Sequence, residues 1–478
     1  MRELDDIYIG GRWIPAASDD RISVISPSTE EVVALVPAAD ADDVAGAVDA
    51  ARHAFDHGPW PRMSPAERAT VMAALHDELT RRADELAHTI GTENGTPAML
   101  LRPAQVDNGL HVLNYYTELA AGWQQERRID GVYGPAIVRN EPVGTVAAIL
   151  PWNVPFYLAM LKVAPALAAG CTVVLKAAPE TPLNAYLLAE AADAAGLPPG
   201  VLNILAAGPE SSELLISNPG IDKIAFTGST KVGERIAALA APKFKRLTLE
   251  LGGKSAAVVL DDADLNTTMA ALIGATMTMS GQFCVAQSRI LVQEKHYDEA
   301  VSLFAGIAGT LPVGRTFDEG TFVGPLISQR QRERVLDYIE IAEREGATLA
   351  AGGTRPENLD KGWFVSPTVF RDVKNDMRIA QEEVFGPVVA FIPYHDTDEA
   401  IAIANDSAFG LHGTVWTSNV QRGVEIGRQI RTGTFSVNSL TLEPAAPFGG
   451  VKQSGIGREM GYEGLAAYLE PKTITVPA

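Results

Sequence analysis

From Val143 to Leu251 the chain repeats one unit, a short apolar run followed by a stretch with helical spacing. The apolar runs are "VGTVAAIL", "CTVVLK", "VLNIL", "IDKIAF" and "RLTLEL". Between them lie "PFYLAMLKVAPALAAG", "PLNAYLLAEAADAAG", "SSELLISNP" and "TKVGERIAALA". Strands that lack polar alternation must be covered on both faces, so the repeat specifies a parallel sheet with helices on either side. That is a doubly wound, Rossmann-like α/β domain, which binds ligands at the carboxyl ends of its strands. The opening unit is apolar enough to suggest a membrane segment. Pro151, Pro155, Lys162 and Pro165 break it into pieces too short to span, and strand–helix–strand accounts for it better.

The whole chain totals 478 residues, so the part outside this repeat is too long to share that one core. The N-terminal part reads as helices. "DADDVAGAVDAARHAF" has acidic residues at its start, and "SPAERATVMAALHDELTRRADELAHTIG" opens with a capping-box pattern and ends at Gly91. After Gly252 and Gly253 a second alternation begins and runs through "SRILVQ", "GTVWTS" and "GTFSVN". It predicts a second α/β domain, with Cys284 in the loop before one of its strands. "AIVRNEP" and the C-terminal "LEPKTITV" read as strands without local partners, and such edges invite pairing with another chain.

Charge and cysteine usage narrow the function. The formal net charge is −20 with no offsetting basic stretch, which disfavours nucleic acid. Two cysteines cannot build a disulfide framework, and the eight histidines form no cluster at metal-ligand spacing, so no metal is expected. The N-terminus carries no apolar signal segment, so a cytoplasmic, membrane-free protein is expected.

Several short motifs sit where ligands belong. "PWN" (Pro151 to Asn153) follows the first sheet strand. "FTGSTKVG" (Phe226 to Gly233) is a strand end, a small-residue turn and a helix start, which suits a phosphate, although an ordinary capped helix reads the same way. "LELGG" ends the fifth strand with Glu250, a carboxylate that is expensive to keep charged there. "MSGQFCVAQSR" holds Cys284 in a loop, and a free cysteine is more often a small buried hydrophobe than a nucleophile.

Taken in order, "IYIGGRW", "PWNVP", "VVLK", "FTGST", "LELGGKS", "GQFC", "EEVFGPV", "PFGGVKQSGIGRE" and "KTITV" resemble the aldehyde dehydrogenase superfamily of NAD(P)-dependent enzymes across nearly the whole chain. The resemblance implies a cofactor domain (residues 1–121 and 143–252), a catalytic domain (253–452) and a small β arm for oligomerisation or bridging (122–142 and 453–478). It implies a homodimer or homotetramer. Cys284 matches the nucleophile, because a thiolate is the best available attacker of an aldehyde carbonyl near neutral pH. The Asn153 amide and the Cys284 N–H match the oxyanion donors. Glu250 matches the base that activates water to hydrolyse the thioester. Lys162 and Glu459 match positions credited with charge balance and proton relay, although a structural ion pair reads equally well.

The same resemblance assigns cofactor contacts to Leu150, Pro151, Trp152, Lys176, Gly208, Phe226, Thr227, Gly228, Ser229, Val232, Leu251, Gly252, Glu383 and Phe385. One departure stands out. "KAAPE" places Pro179 where NAD-preferring members often carry an acid for the ribose hydroxyls, and Glu180 comes one place late. NAD remains the expected cofactor, with NADP possible, because no arginine follows Lys176 to hold a 2′-phosphate. The expected substrate is an uncharged aliphatic or aromatic aldehyde. The segments assigned to the substrate mouth (Val154, Phe156, Tyr157, Leu158, Leu161, Phe283, Val285, Leu440, Leu442, Pro444, Pro447) bring only Glu443 as a charge. A semialdehyde carrying a carboxylate is the alternative. A CoA-acylating relative is disfavoured by the presence of Glu250, and a non-catalytic protein by the intact set of Cys284, Glu250 and Asn153.

Overall fold

A computed structural model describes residues 1–477. The five apolar runs form the parallel centre of an eight-stranded sheet. Its order is Gly455–Ile456, Arg246–Glu250, Lys223–Thr227, Thr145–Ile149, Thr172–Ala177, Leu202–Ala206, Asp6–Ile9, Arg12–Pro15. Antiparallel strands close both edges. The strand period of two sends neighbouring side chains to opposite faces. Val146, Ala148, Val173 and Leu175 enter one buried cluster with Phe156 and Leu113, whereas Ala147, Ile149 and Val174 enter another with Val44, Ala47 and Ile236. Both faces are therefore dry, as the unbroken apolar runs require.

The second sheet has seven strands in the order Thr348–Ala351, Thr368–Arg371, Val388–Tyr394, Arg289–Gln293, Ala256–Val259, Gly413–Trp416, Ser436–Val437. It is parallel except for its first edge. The segment Leu251–Ser255 leaves the carboxyl end of the Arg246–Glu250 strand and starts Ala256–Val259. Ala256 pairs with Arg289. The carboxyl edge of the first sheet thus runs directly into the amino edge of the second, and Cys284 lies just upstream of that edge.

Several expectations are corrected. The N-terminal region is not purely helical: five strands precede the first helix, and three of them (Arg2–Glu3, Val32–Pro37, Arg21–Ile25) form their own small sheet. The helix expected to end at Gly91 is two helices, Pro65–Arg81 and Ala83–Asn94, broken at Arg82. The left-handed cap is Gly95, at φ 81°. Gly91 stays helical for a packing reason, since a Cβ there would lie 2.8 Å from Leu101 Cδ1. "AIVRNEP" and "LEPKTITV" do have partners. Gly134–Pro142 and Leu469–Thr475 pair antiparallel with each other, and Glu126–Gly131 completes a three-stranded sheet. These strands lie far apart in sequence, which local pattern cannot register. Among the described residues no helix is long and apolar enough to cross a membrane, and no group of His, Cys, Asp or Glu is arranged to hold a metal ion.

Candidate active site

The loop that carries Cys284 is built on an unusual backbone. The helix Leu265–Met277 ends, and Met279, Ser280 and Gly281 follow with φ of 49°, 56° and 69°. Non-glycine residues in this left-handed region cost about 1–3 kcal/mol each and need support. Ser280 Oγ donates to the Gly324 carbonyl at 2.8 Å, and Gln282 Oε1 accepts from the Ile327 N–H at 3.0 Å. The turn also needs bare backbone, because a Cβ on Gly281 would lie 2.1 Å from the Gly386 oxygen. Cys284 emerges partly exposed with its carbonyl against Gly253, where a Cβ would come within 2.2 Å of it. Burial, and after it the charges of Glu383, Glu250 and Glu459, push the thiol up to about 12.

Asn153 reaches this loop from the other sheet. It follows the strand Thr145–Ile149 and precedes the helix Pro155–Ala169, and its Nδ2 donates to the Gln282 carbonyl at 2.9 Å. An amide has two hydrogens, so that bond to the Gln282 carbonyl uses only one of them. Glu250 ends its strand fully buried, and neither carboxylate oxygen has a hydrogen-bond partner. Burial first and Glu459 second hold it well above the usual carboxyl range, against the opposing pull of Lys162 and Arg458. A side chain on Gly449 would sit 2.6 Å from Glu250 Oε1.

Lys162 and Glu459 form a fully buried ion pair at 2.8 Å, and Lys162 Nζ also donates to Thr227 Oγ1 at 2.6 Å. The structure thus brings Cys284, Glu250, Lys162, Glu459 and Glu383 into one electrostatic neighbourhood, with Asn153 bonded to the loop that carries Cys284.

The other expected residues follow the carboxyl edge of the first sheet. Leu150 and Lys176 lie at neighbouring strand ends, joined by Leu150 N–H to Lys176 C=O at 3.0 Å. Lys176 is buried, forms no ion pair among the described residues, and is pushed by that burial down to about 8. Gly208 precedes the helix Pro209–Ser217. Phe226 and Thr227 close their strand, Gly228 allows the Phe226 ring to fold back where a Cβ would lie 2.4 Å from it, and Ser229 caps the helix Thr230–Ala240. Val232 stands exposed on that helix, whereas Leu251 and Gly252 are buried in the crossing segment. Glu383 Oε1 accepts from Gly253 N–H at 2.9 Å, and burial pushes its carboxyl up to about 7. Trp152 and Phe385 meet edge to face at 5.4 Å, and Phe385 holds φ 61°.

Glu180, one residue after Pro179, adds a smaller charge effect on Lys176 that opposes the lowering by burial. One expected placement changes. Phe156 does not line the substrate mouth. It is fully buried against Gly109, where a Cβ would lie 2.7 Å from its ring. Tyr157, Leu440 and Leu442 do pack, partly exposed, on the same apolar cluster as Cys284, Val154, Leu158, Phe283 and Val285. Sequence reasoning gave no role to Gln282, Asn94, Gln105 or Met460. Only Gln282 carried a signal, its place in "GQFC".

The chain matches the model of the aldehyde dehydrogenase family over residues 13–474. It is 44% identical to geranial dehydrogenase of Castellaniella defragrans over 469 residues, 98% of each chain. Among solved structures it is similar to an aldehyde dehydrogenase of Mycobacterium tuberculosis complexed with NAD+, with a TM-score of 0.98, 47% identity and coverage of 100% of this chain and 99% of that one. It is also similar to a mutant aldehyde dehydrogenase C of Pseudomonas syringae complexed with NAD+ and octanal, with a TM-score of 0.96, 40% identity and coverage of 99% and 97%.

Proposed function

The chain belongs to the aldehyde dehydrogenase family and is an NAD-dependent oxidoreductase of that kind, and from this premise we propose that it oxidises uncharged aldehydes to carboxylic acids through a covalent bond to Cys284. The observation that carries the proposal is the Cys284 thiol under the charge of the buried Glu250 carboxyl, on a loop bonded to the Asn153 amide, where the two sheets join. Residues 1–121 and 143–252 would serve the cofactor and 253–452 the chemistry. The arm of residues 122–142 and 453–478 would join copies into a homodimer or homotetramer.

The cleft suits a dinucleotide. Lys176 is buried with an unpaired amine, Gly228 and Ser229 open a capped helix N-terminus, and Gly252 leaves room where a Cβ would lie 2.8 Å from Glu383 Oε2. Lys176 and Glu180 would hold one ribose, Ser229 and its helix the diphosphate, and Glu383 with Trp152 and Phe385 the nicotinamide end. NAD+ bound there supplies the hydride acceptor.

The chain's own residues do the rest. Cys284 Sγ attacks the aldehyde carbon, and the oxyanion is met by Asn153 Nδ2 and the Cys284 N–H. Burial raises both the Cys284 thiol and the Glu250 carboxyl above their ordinary ranges. An ordinary carboxylate would be a poor base toward a thiol or water, and the raised Glu250 pKa brings the pair nearer to match. Glu250, as its carboxylate, would take the thiol proton as Cys284 attacks and release it to solvent. After oxidation it would take a proton from the water that hydrolyses the Cys284 thioester, with the Lys162–Glu459 pair balancing the charge that moves through Glu250.

The apolar cluster around Cys284 and the exposed Glu443 favour a neutral substrate. The octanal complex and the geranial-oxidising relative agree with this. Each added methylene buried contributes about 0.8 kcal/mol. A kcat/KM series over acetaldehyde, hexanal, octanal, benzaldehyde and succinic semialdehyde tests the reading. Rising values from acetaldehyde to octanal are expected. Succinic semialdehyde best by tenfold or more would overturn the substrate class, and full turnover by Cys284→Ala would overturn the mechanism.

A further inference from the structure

Residues Leu101–Asp107 form a π-helix between the short helix Ala98–Leu100 and the helix Asn108–Gly122. Such turns are rare, and each inserts a residue that shifts the following side chains around the helix. Here Gln105 becomes fully buried. Its Nε2 donates to the Asn153 carbonyl at 2.9 Å and to Thr96 Oγ1 at 2.9 Å, and approaches Met279 Sδ at 3.6 Å. Asn94 Nδ2 donates to the same Asn153 carbonyl at 3.0 Å. One backbone oxygen thus takes two side-chain amides, and one of those amides also touches the strained turn before Cys284.

We infer that Gln105 is a positioning residue for the oxyanion site, holding Asn153 and the Met279–Gly281 turn in register so that the Asn153 amide and the Cys284 N–H converge on one oxygen. The clamp is needed because neither side is fixed by regular structure. Asn153 lies in the non-helical stretch before Pro155, and the helix that follows has no side-chain cap at Val154. The Met279–Ser280 turn is strained. A cavity lined by Asn94, Thr96, Trp152, Asn153, Met279, Ser280 and Gln282 adjoins the clamp, so packing alone does not fill the space behind the donor. Gln105 Oε1 is buried without a partner, a cost that a purely structural glutamine would be expected to avoid. Gln105 touches neither the thiol nor the proposed substrate path, so it acts only through Asn153 and the turn.

The inference rests on Asn153 as the oxyanion donor, and the test separates the two. kcat, KM for hexanal and NAD binding are measured for Gln105→Leu, Gln105→Glu, Asn153→Ala and the double variant Gln105→Leu/Asn153→Ala. Gln105→Leu is expected to lower kcat about tenfold or more, with little change in KM or NAD binding, since a small misplacement of a donor has large effects. The double variant should be no slower than Asn153→Ala alone. Gln105→Glu supplies a second readout. A carboxylate next to the Asn153 carbonyl repels it, whereas a protonated carboxyl can donate. The neighbours that Gln105 touches, Thr96, Asn153 and Met279, do not titrate. Glu93, on the packed helix Ala83–Asn94, is pushed by burial up to about 8, but it is held by Leu183 and Asn184 and is present in native and variant alike. The ratio of variant to native kcat should therefore rise as pH falls from 9 to 6. If Asn153→Ala retains native kcat, the oxyanion reading itself falls. If Asn153→Ala is impaired while Gln105→Leu keeps native kcat, or if the two losses multiply in the double variant, only the clamp is overturned. If Gln105→Leu fails to fold, the pH ratio of Gln105→Glu decides, and a flat ratio rejects the clamp.

Discussion

Cys284 is poised to attack yet held as a thiol, and this can be measured without any substrate. Burial first, then the charges of Glu383, Glu250 and Glu459, push the thiol from an ordinary value of 9.0 up to about 12. At pH 8 the thiolate fraction of an ordinary cysteine is about one in ten, and that of Cys284 about one in ten thousand. Alkylation of the cofactor-free enzyme by iodoacetamide should therefore be on the order of a thousandfold slower than for an exposed cysteine. Its rate should keep rising through pH 10. The readout is clean, because the only other cysteine, Cys171, is fully buried and itself pushed up to about 11, so one adduct by intact mass reports Cys284. Glu383 supplies the internal control. Its carboxyl titrates near 7, so its charge opposes the thiolate above that pH and not below. Glu383→Gln, which can still accept from Gly253 N–H, should speed alkylation severalfold at pH 8 and leave it unchanged at pH 6. A native rate that levels off by pH 9, or a Glu383→Gln rate equal to native at pH 8, would refute the electrostatic account.

Other consequences concern stability and cofactor choice. Glu250→Gln should give a burst of NADH followed by slow steady turnover if deacylation is the step it serves, read by stopped-flow absorbance. The same variant should be more stable than native at alkaline pH. The folded carboxyl titrates above its unfolded value, so the native state holds a proton that the unfolded chain releases, and this contribution to native stability is lost as pH rises above about 4.5. The stability gain of Glu250→Gln, from urea denaturation, should thus grow between pH 5 and pH 8. Lys162→Met strands Glu459 as a buried charge and should cost about 3–5 kcal/mol, much of it recovered when Glu459→Gln is added. Glu180→Gln should lower the NAD over NADP ratio of kcat/KM by about tenfold, the value of one charge-assisted hydrogen bond; an unchanged ratio would leave the ribose without an acidic partner.

The first sheet was legible because its strands are short, apolar and separated by helices, two of which end in glycine. Gly170 and Gly196 do close helices in the left-handed region, at φ 94° and 74°. What failed was anything decided at a distance. Gly91 looks like a helix stop, but its missing side chain makes room for Leu101 and Phe317, and Gly95 does the stopping. "LEPKTITV" looks partnerless because its partner, Gly134–Pro142, lies more than three hundred residues away. Phe156 looks like a tunnel wall because it follows Asn153, yet helical geometry turns it toward Gly109, while its neighbour Tyr157 remains on the mouth side.

The candidate site was legible in its residue types and illegible in its backbone, and the reason is physical. Met279, Ser280, Phe385 and Met460 all hold positive φ, where local preference would put glycine or asparagine. Each lies within five residues of a charge or nucleophile: Met279 and Ser280 precede Cys284 by five and four, Phe385 follows Glu383 by two, and Met460 follows Glu459 directly. A left-handed residue reverses the chain's direction within one step. Adjacent side chains can then serve opposite surroundings. Glu459 enters the polar pair with Lys162, while Met460 packs in the apolar cluster and meets the Tyr157 hydroxyl through its sulfur at 3.6 Å. Glycine at Met460 would relax the backbone and remove the apolar contact. A relaxed φ would keep the methionine and misdirect the glutamate. Strain of about 1–3 kcal/mol per residue is tolerable only where surrounding contacts hold it, as Ser280 Oγ holds its own turn through Gly324. At Met460 the residue that sequence rules would reject is thus the one that lets a charge and an apolar wall lie within one residue of each other.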